Sequence, residues 1–323
     1  MSDDIKTIAE DEWKVISINL LKGSETASVD IFIKINDIKF VKIYGENDKA
    51  LGDILEKYGD KEVTCFYCRK EDYQIFSDHY LKSGDVTDSG RKLLLLKDLL
   101  DNFGVSKEVV DEVNNIADQN IELVKNDKSI AKFMMAMLNK GDYLTQHSMM
   151  VSTISCVLAK KMDWCSNKVL TSLSMAGILH DIMLTEDILL NLKENDNNLK
   201  KLAWKEIKTY KNHVKDVVTL LEKNKDIPQG VIDIIQDHHE FSIKGDFTPK
   251  KVASSITQVS ALFILADHFC HEVHVKGGIS INSFIENWGN FAQHFKKGNF
   301  RLPLACLEDL VFFNAENRKK KVS

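Results

Sequence analysis

The sequence predicts an α+β protein, with a small N-terminal α/β domain ahead of an all-α helical bundle. Three observations predict it. Short β-branched runs crowd the first 85 residues. After residue 90 a 3.6-residue apolar period takes over. The 323 residues include only three prolines and 15 glycines, too few for a loop-rich β fold.

In order along the chain, Trp13 to Leu21 (WKVISINLL) and Val29 to Ile35 (VDIFIKI) read as strands. Asp37 to Ile43 (DIKFVKI) is a third, and Asn36-Asp37 between them suits a hairpin. Val63 to Cys68 (VTCFYC) is a fourth, while 48–58 and 70–82 carry helical spacing. Ser83 to Gly90 (SGDVTDSG) is polar and glycine-containing, a natural linker. The expected domains are therefore 1–85, a small α/β regulatory or partner-binding unit, and 86–323, a helical unit. Helices are expected near 91–103, 106–125, 128–139, 143–163, 166–182, 203–224, 228–239, 252–275, 280–296 and 303–315. Ser106 and Ser166 are placed as N-caps.

Composition narrows the function. A formal charge of -5 gives no footprint for a nucleic-acid polymer. Met1 is followed by Ser-Asp-Asp rather than an export signal, and no run of 18 apolar residues suggests a membrane span. Six scattered cysteines then read as reduced thiols, with the cytoplasm as the expected location. The Arg318–Lys321 charge run reads as a solvated end.

The chemical signal lies in the ten histidines. His180-Asp181 ends the apolar run Ser174–Leu179, and His238-His239 ends the helix candidate carrying Val231, Ile232, Ile234 and Ile235. Neighbours on a helix diverge by about 100°. Adjacent ligands therefore reach one ion only near a helix end, or serve two ions with the carboxylate bridging. His213 lies beside the apolar stripe Ile207, Tyr210, Val214, Val217 and Leu221, and His147 precedes Met150, Val151, Ile154 and Leu158. Asp267 interrupts Ala261–Ala266, where an unpaired carboxylate costs several kcal/mol. Each residue alone has a bland explanation: a buried histidine on a cap, a surface pair, a core histidine. Five histidines and two aspartates on the core side of successive helices instead fit a di-metal site inside a bundle. Such N/O ligation suits Fe, Mn, Zn or Ni.

In this order, His147, His180-Asp181, His213, His238-His239-Glu240 and Asp267 resemble the HD-GYP branch of the HD phosphohydrolase superfamily. Ala176-Gly177-Ile178-Leu179-His180-Asp181 and Leu265-Ala266-Asp267 carry the local likeness, which covers roughly residues 90–300. The resemblance implies a helical HD fold, two metal ions with iron as the first expectation, and hydrolysis of cyclic di-GMP or a related nucleotide phosphodiester. It implies that His147, His180, Asp181 and Asp267 hold one ion. Asp181, the catalytic bridge, then reaches a second ion held by His213, His238 and His239.

The sequence also departs from the family. The lysine of HD-x-G-K is Leu184 here, the usual arginine is Met150, and no Gly-Tyr-Pro triplet follows His-His-Glu. Tyr143 stands where some members carry a glutamate for a third ion, so two ions are expected. Lys244 and Lys276 are the candidate substrate contacts, with Lys250 and Lys251 nearby. These departures keep two alternatives open: a metal- and nucleotide-binding signalling module without turnover, and a di-iron redox or oxygen sensor.

Three further signals carry less. Cys65-Phe66-Tyr67-Cys68 is a CxxC in an apparent strand with no second pair. Asp267, His271 and His274 recur at helical spacing, but a separate metal site there lacks a fourth ligand. Glu240 has no clear ligand role and is read as a proton acceptor or a support for an imidazole.

Overall fold

The computed structural model describes residues 12–21, 26–36, 39–46, 48, 51–59, 61, 63, 65–82, 89–125, 143–185, 188–189, 202–241, 251–252, 254–275, 278–279 and 281–322. Compactness divides the chain into Met1–Val109 and Val110–Ser323.

In the first unit β1 (Trp13–Ser17), β2 (Ile31–Asn36), β3 (Lys39–Tyr44) and β4 (Cys65–Arg69) form an antiparallel sheet in the order β1-β4-β2-β3. Around it run α1 (Ile18–Leu21), α2 (Leu51–Gly59), α3 (Tyr73–Lys82) and α4 (Ser89–Phe103). Leu51, Leu55, Phe66, Cys68, Tyr73 and Phe76 are buried together with Ile16 and Ile31. Elsewhere Trp13 stacks on Phe40 at 4.1 Å.

Two local outcomes differ from the sequence reading, each for a physical reason. The run Trp13–Leu21 is not one strand. Ser17 pairs with Cys65, the first residue of β4, so the chain has no ladder partner beyond it and turns into α1. The first unit also extends past the linker at 83–90 because α4 packs on β1. Asn102 presents its side-chain amide to the free edge of that strand: Oδ1 accepts from Val15 N at 2.9 Å and Nδ2 donates to Val15 O at 2.9 Å. Asp98 accepts the Ser17 N–H at 2.8 Å. An edge strand's unpaired peptide groups are thereby satisfied.

The second unit is helical: α5 (Lys107–Lys125), α6 (Tyr143–Ala159), α7 (Asn167–Leu179), α8 (Trp204–Leu221), α9 (Gln229–Asp237), α10 (Gln258–Val273), α11 (Ile281–Glu286), α12 (Trp288–His294) and α13 (Arg301–Val322). The expected helix at 128–139 lies outside the described residues. Ser106 and Ser166 cap as expected, accepting from Val109 N and Val169 N. Helix α10 stops at Val273 because His274 turns extended (φ -84, ψ 109) into a ribbon, β5 (His274–Val275) with β6 (Gly278–Ile279), which the sequence did not signal.

Helix α6 is buried along its whole length, as a bundle's central helix must be. It packs closely on α7. A Cβ placed on Gly177 would lie 2.5 Å from the Cα and N of Ser152, so only glycine permits this approach. Beside that contact a buried polar ladder crosses three helices. Asn120 Nδ2 donates to Ser152 Oγ at 2.6 Å and Ser174 Oγ at 3.1 Å, and Thr153 Oγ1 donates to Asn120 Oδ1 at 2.7 Å. Among the described residues, no helix is long and apolar enough to cross a membrane.

Candidate metal centre

The close α6–α7 approach brings His147, on the second turn of α6, against the end of α7. There His180 caps the helix, its N–H bonded to Ala176 O, and the chain turns tightly so that Leu184 N bonds Asp181 O at 2.8 Å. Helix α9 ends in the same way, with His238 as its cap and Glu240 N bonded to Asp237 O at 2.8 Å. Both adjacent pairs thus lie just past a helix end, where neighbouring side chains can converge. His213 comes from the buried side of α8 and Asp267 from the middle of α10.

All seven expected residues converge. His147, His180 and Asp267 form one group, and Asp181, His213, His238 and His239 another. In each group the candidate ligand atoms lie within 4.8 Å of one another. Six of the seven are buried and His239 is half-buried. Asp181 stands between the groups. Its Oδ1 is 3.3 Å from His213 Nε2, while its Oδ2 is 3.4 Å from His180 Nε2 and 3.9 Å from His147 Nε2.

The hydrogen bonds define which ring nitrogens face inward. Nδ1 of His180 donates to Gly177 O at 3.0 Å, Nδ1 of His213 to Tyr210 O at 2.6 Å, and Nδ1 of His238 to Ile235 O at 2.6 Å. A carbonyl can only accept, so in the neutral rings Nε2 carries the lone pair. The inward Nε2 atoms nevertheless lie 3.2 Å apart in His213 and His238, and 3.3 Å apart in His180 and His147. In the His213–His238 pair, where both tautomers are fixed by carbonyls, facing lone pairs at that distance need a cation or a proton between them. Asp267 Oδ1 is buried, 3.0 Å from His147 Nε2. This donor set fits a metal.

The electrostatics agree. Burial pushes the His238 imidazole down to about 3, and burial and His238 hold His239 well below the ordinary histidine range, so both stay neutral as ligands must. Burial works to raise the carboxyls of Asp181 and Asp267. The histidines win: His180 and His213 hold Asp181, and His147 and His271 hold Asp267, well below the carboxylate range. His213 is lowered by burial but raised more by Asp181, for a net upward shift.

The remaining expectations fall differently. Lys244, Lys250, Lys276 and the segment in the Gly-Tyr-Pro position lie outside the described residues. Met150 and Leu184 are buried, so these side chains are packed in the core. Glu240 accepts the backbone N–H of Lys251 at 2.8 Å, and the Lys251 ammonium binds Asp237 at 2.5 Å. Glu240 thus anchors the chain after the centre. Cys65 and Cys68 are an odd number of residues apart on β4, so they point to opposite faces. Both are free, and burial pushes the Cys68 thiol up to about 12.

The sequence reading missed one participant. His271 does not build a separate site. Its Nε2 lies 3.8 Å from Asp267 Oδ1 and its Nδ1 lies 2.9 Å from Tyr143 Oη, while its ring is 4.3 Å from that of His147. The i,i+4 spacing from Asp267 was the available signal.

Comparison with known proteins meets this geometry. Residues 144–270 match the family model of the HD domain, a stretch that holds all seven residues. The fold is similar to that of Bd1817, an HDG"Y"P protein from Bdellovibrio bacteriovorus. The two share 19% identity and a TM-score of 0.55, over 92% of this chain and 100% of that one. Residues 144–270 of the helical unit are thus similar to the HD domain, and the fold of the chain is similar to that of the Bdellovibrio protein. No curated protein matches the sequence.

Proposed function

We propose that the HD domain holds a binuclear metal centre and hydrolyses a nucleotide phosphodiester, with cyclic di-GMP as the first substrate to test. The observation that carries this reading is the position of Asp181, whose two oxygens serve two different groups of histidines. His147, His180 and Asp267 are the ligands of one ion, and His213, His238 and His239 of the other. Iron is the first expectation, ahead of manganese, zinc or nickel. Bound there, a metal pair would supply Lewis acidity toward phosphate oxygens and would lower the pKa of bound water. The protein's part is to hold the ligands. The backbone carbonyls of Gly177, Tyr210 and Ile235 fix three imidazoles in the ligating tautomer. Asp181 stays ionised and keeps the two groups in register. Lys244 and Lys276 remain the candidate cationic contacts for substrate, and the N-terminal unit is the regulatory or partner-binding part.

Metal-loaded protein should carry about two ions per chain and cleave cyclic di-GMP or an aryl phosphodiester, with both properties lost in Asp181→Ala. If the loaded protein leaves both diesters intact, hydrolysis is abandoned. A second reading is then favoured by the burial of Met150 and Leu184: a nucleotide-binding module that does not turn over.

A further inference from the structure

Tyr143 and His271 flank the matched stretch, one residue before its start and one after its end, yet they meet at the centre. His271 is about one-third exposed (34%), whereas His147 and Asp267 beside it are buried. It therefore occupies the solvent side of that ligand group. Its two contacts favour the opposite tautomer from the three carbonyl-bonded histidines. Tyr143 Oη lies 2.9 Å from His271 Nδ1, and a phenol O–H donates to the lone pair of a ring nitrogen at that distance. The Nε2 of His271 faces a carboxylate oxygen of Asp267, where an N–H is favoured over a lone pair. Both neighbours place the proton of the neutral ring on Nε2.

We propose that His271, held by Tyr143, is not a metal ligand but a hydrogen-bond donor to a non-bridging phosphate oxygen of the substrate. The inference rests on the phosphodiester reading above. It gives the site a donor at its exposed side while Met150 and Leu184, in the places of the family's arginine and lysine, are packed in the core. His271 is a binding residue and Tyr143 a positioning residue that acts through it.

The test uses the full chain loaded with zinc, as wild type, His271→Ala and Tyr143→Phe. Three quantities are read: metal per chain, affinity for inorganic phosphate by calorimetry, and the His271 tautomer by long-range proton–nitrogen NMR. Metal content should be unchanged in both variants. Phosphate should bind about ten- to a hundredfold more weakly to His271→Ala, the loss of one hydrogen bond to a charged partner. Tyr143→Phe, which keeps the ring and its packing, should weaken phosphate and reduce the Nε2-protonated signal that the wild type shows. Loss of an ion in His271→Ala, unchanged phosphate affinity in both variants, or an Nδ1-protonated ring in the wild type each overturns the proposal. Wild-type protein that takes up metal but no phosphate overturns the phosphodiester reading itself, and this inference with it.

Discussion

His213 and His238 turn their Nε2 atoms toward each other at 3.2 Å, and each commits its Nδ1 to a backbone carbonyl. Two such rings share no proton when both are neutral, so removing either should empty one position and spare the other. His213→Ala or His238→Ala should lower metal content from about two ions per chain to about one, measured by elemental analysis of gently purified protein. Retention of both ions in either variant would show that this group is not a ligand set.

Gly177 controls the distance between the helices that carry His147 and His180. Gly177→Ala drives a Cβ into the Ser152 backbone, where nothing flexible can yield. It should destabilise the helical unit by about 1–3 kcal/mol and reduce metal uptake, read by denaturant titration with and without metal. Gly230→Ala is the control, because its Cβ would meet the Ser172 side chain, with the hydroxyl at 3.0 Å, and no backbone atom within 4 Å outside its own helix. Equal effects of the two substitutions would remove the special role of Gly177.

Acid should weaken the metal-free protein well above the carboxylate range. His238 has a folded pKa of about 3 against 6.5 unfolded, so its contribution is full above pH 6.5 and is lost as pH falls toward 3. His239 shifts the same way. His213 is raised, so its contribution is full below pH 6.5 and is lost as pH rises through its folded pKa. Stability should therefore peak near pH 6.5 and fall by on the order of 2 kcal/mol per lowered histidine by pH 5. Urea unfolding in chelator across that range checks it. A flat profile down to pH 5 would contradict the burial of neutral rings.

Asn102 acts as a substitute strand for the edge of β1. Asn102→Ala leaves the N–H and C=O of Val15 without these partners and should cost the first unit about 2 kcal/mol. Hydrogen exchange at the Val15 amide should accelerate while exchange within α7 stays unchanged. Unaltered exchange at Val15 would show that the amide contributes nothing there.

Much of the centre was legible in the sequence because its chemistry is concentrated. An aspartate directly after the apolar run Ala261–Ala266 and two histidines after an apolar helix have few stable environments, and the order of the seven residues did the rest. The helices were legible through their apolar period. The pairing of Asn102 with Val15 was not, because a polar residue on an amphipathic helix carries no mark of a partner 87 positions away. The break at Ser17 was hidden too, since it depends on where β4 begins and not on the residues of β1. His271 was visible as spacing but not as function, because its tautomer follows from Tyr143, which is distant in sequence and close in space.

The ladder of Asn120, Ser152, Thr153 and Ser174 lies in the packed interior where α5, α6 and α7 meet. Sliding one helix by a turn would strand several of these groups without partners, each at about 1–3 kcal/mol. An apolar interface of the same size would tolerate such a slip far more readily. The ladder therefore works as a vernier, fixing the axial offset that sets His147 opposite His180. On this basis the apoprotein already knows the spacing of its ligands, and metal arrives at a gauge rather than creating one.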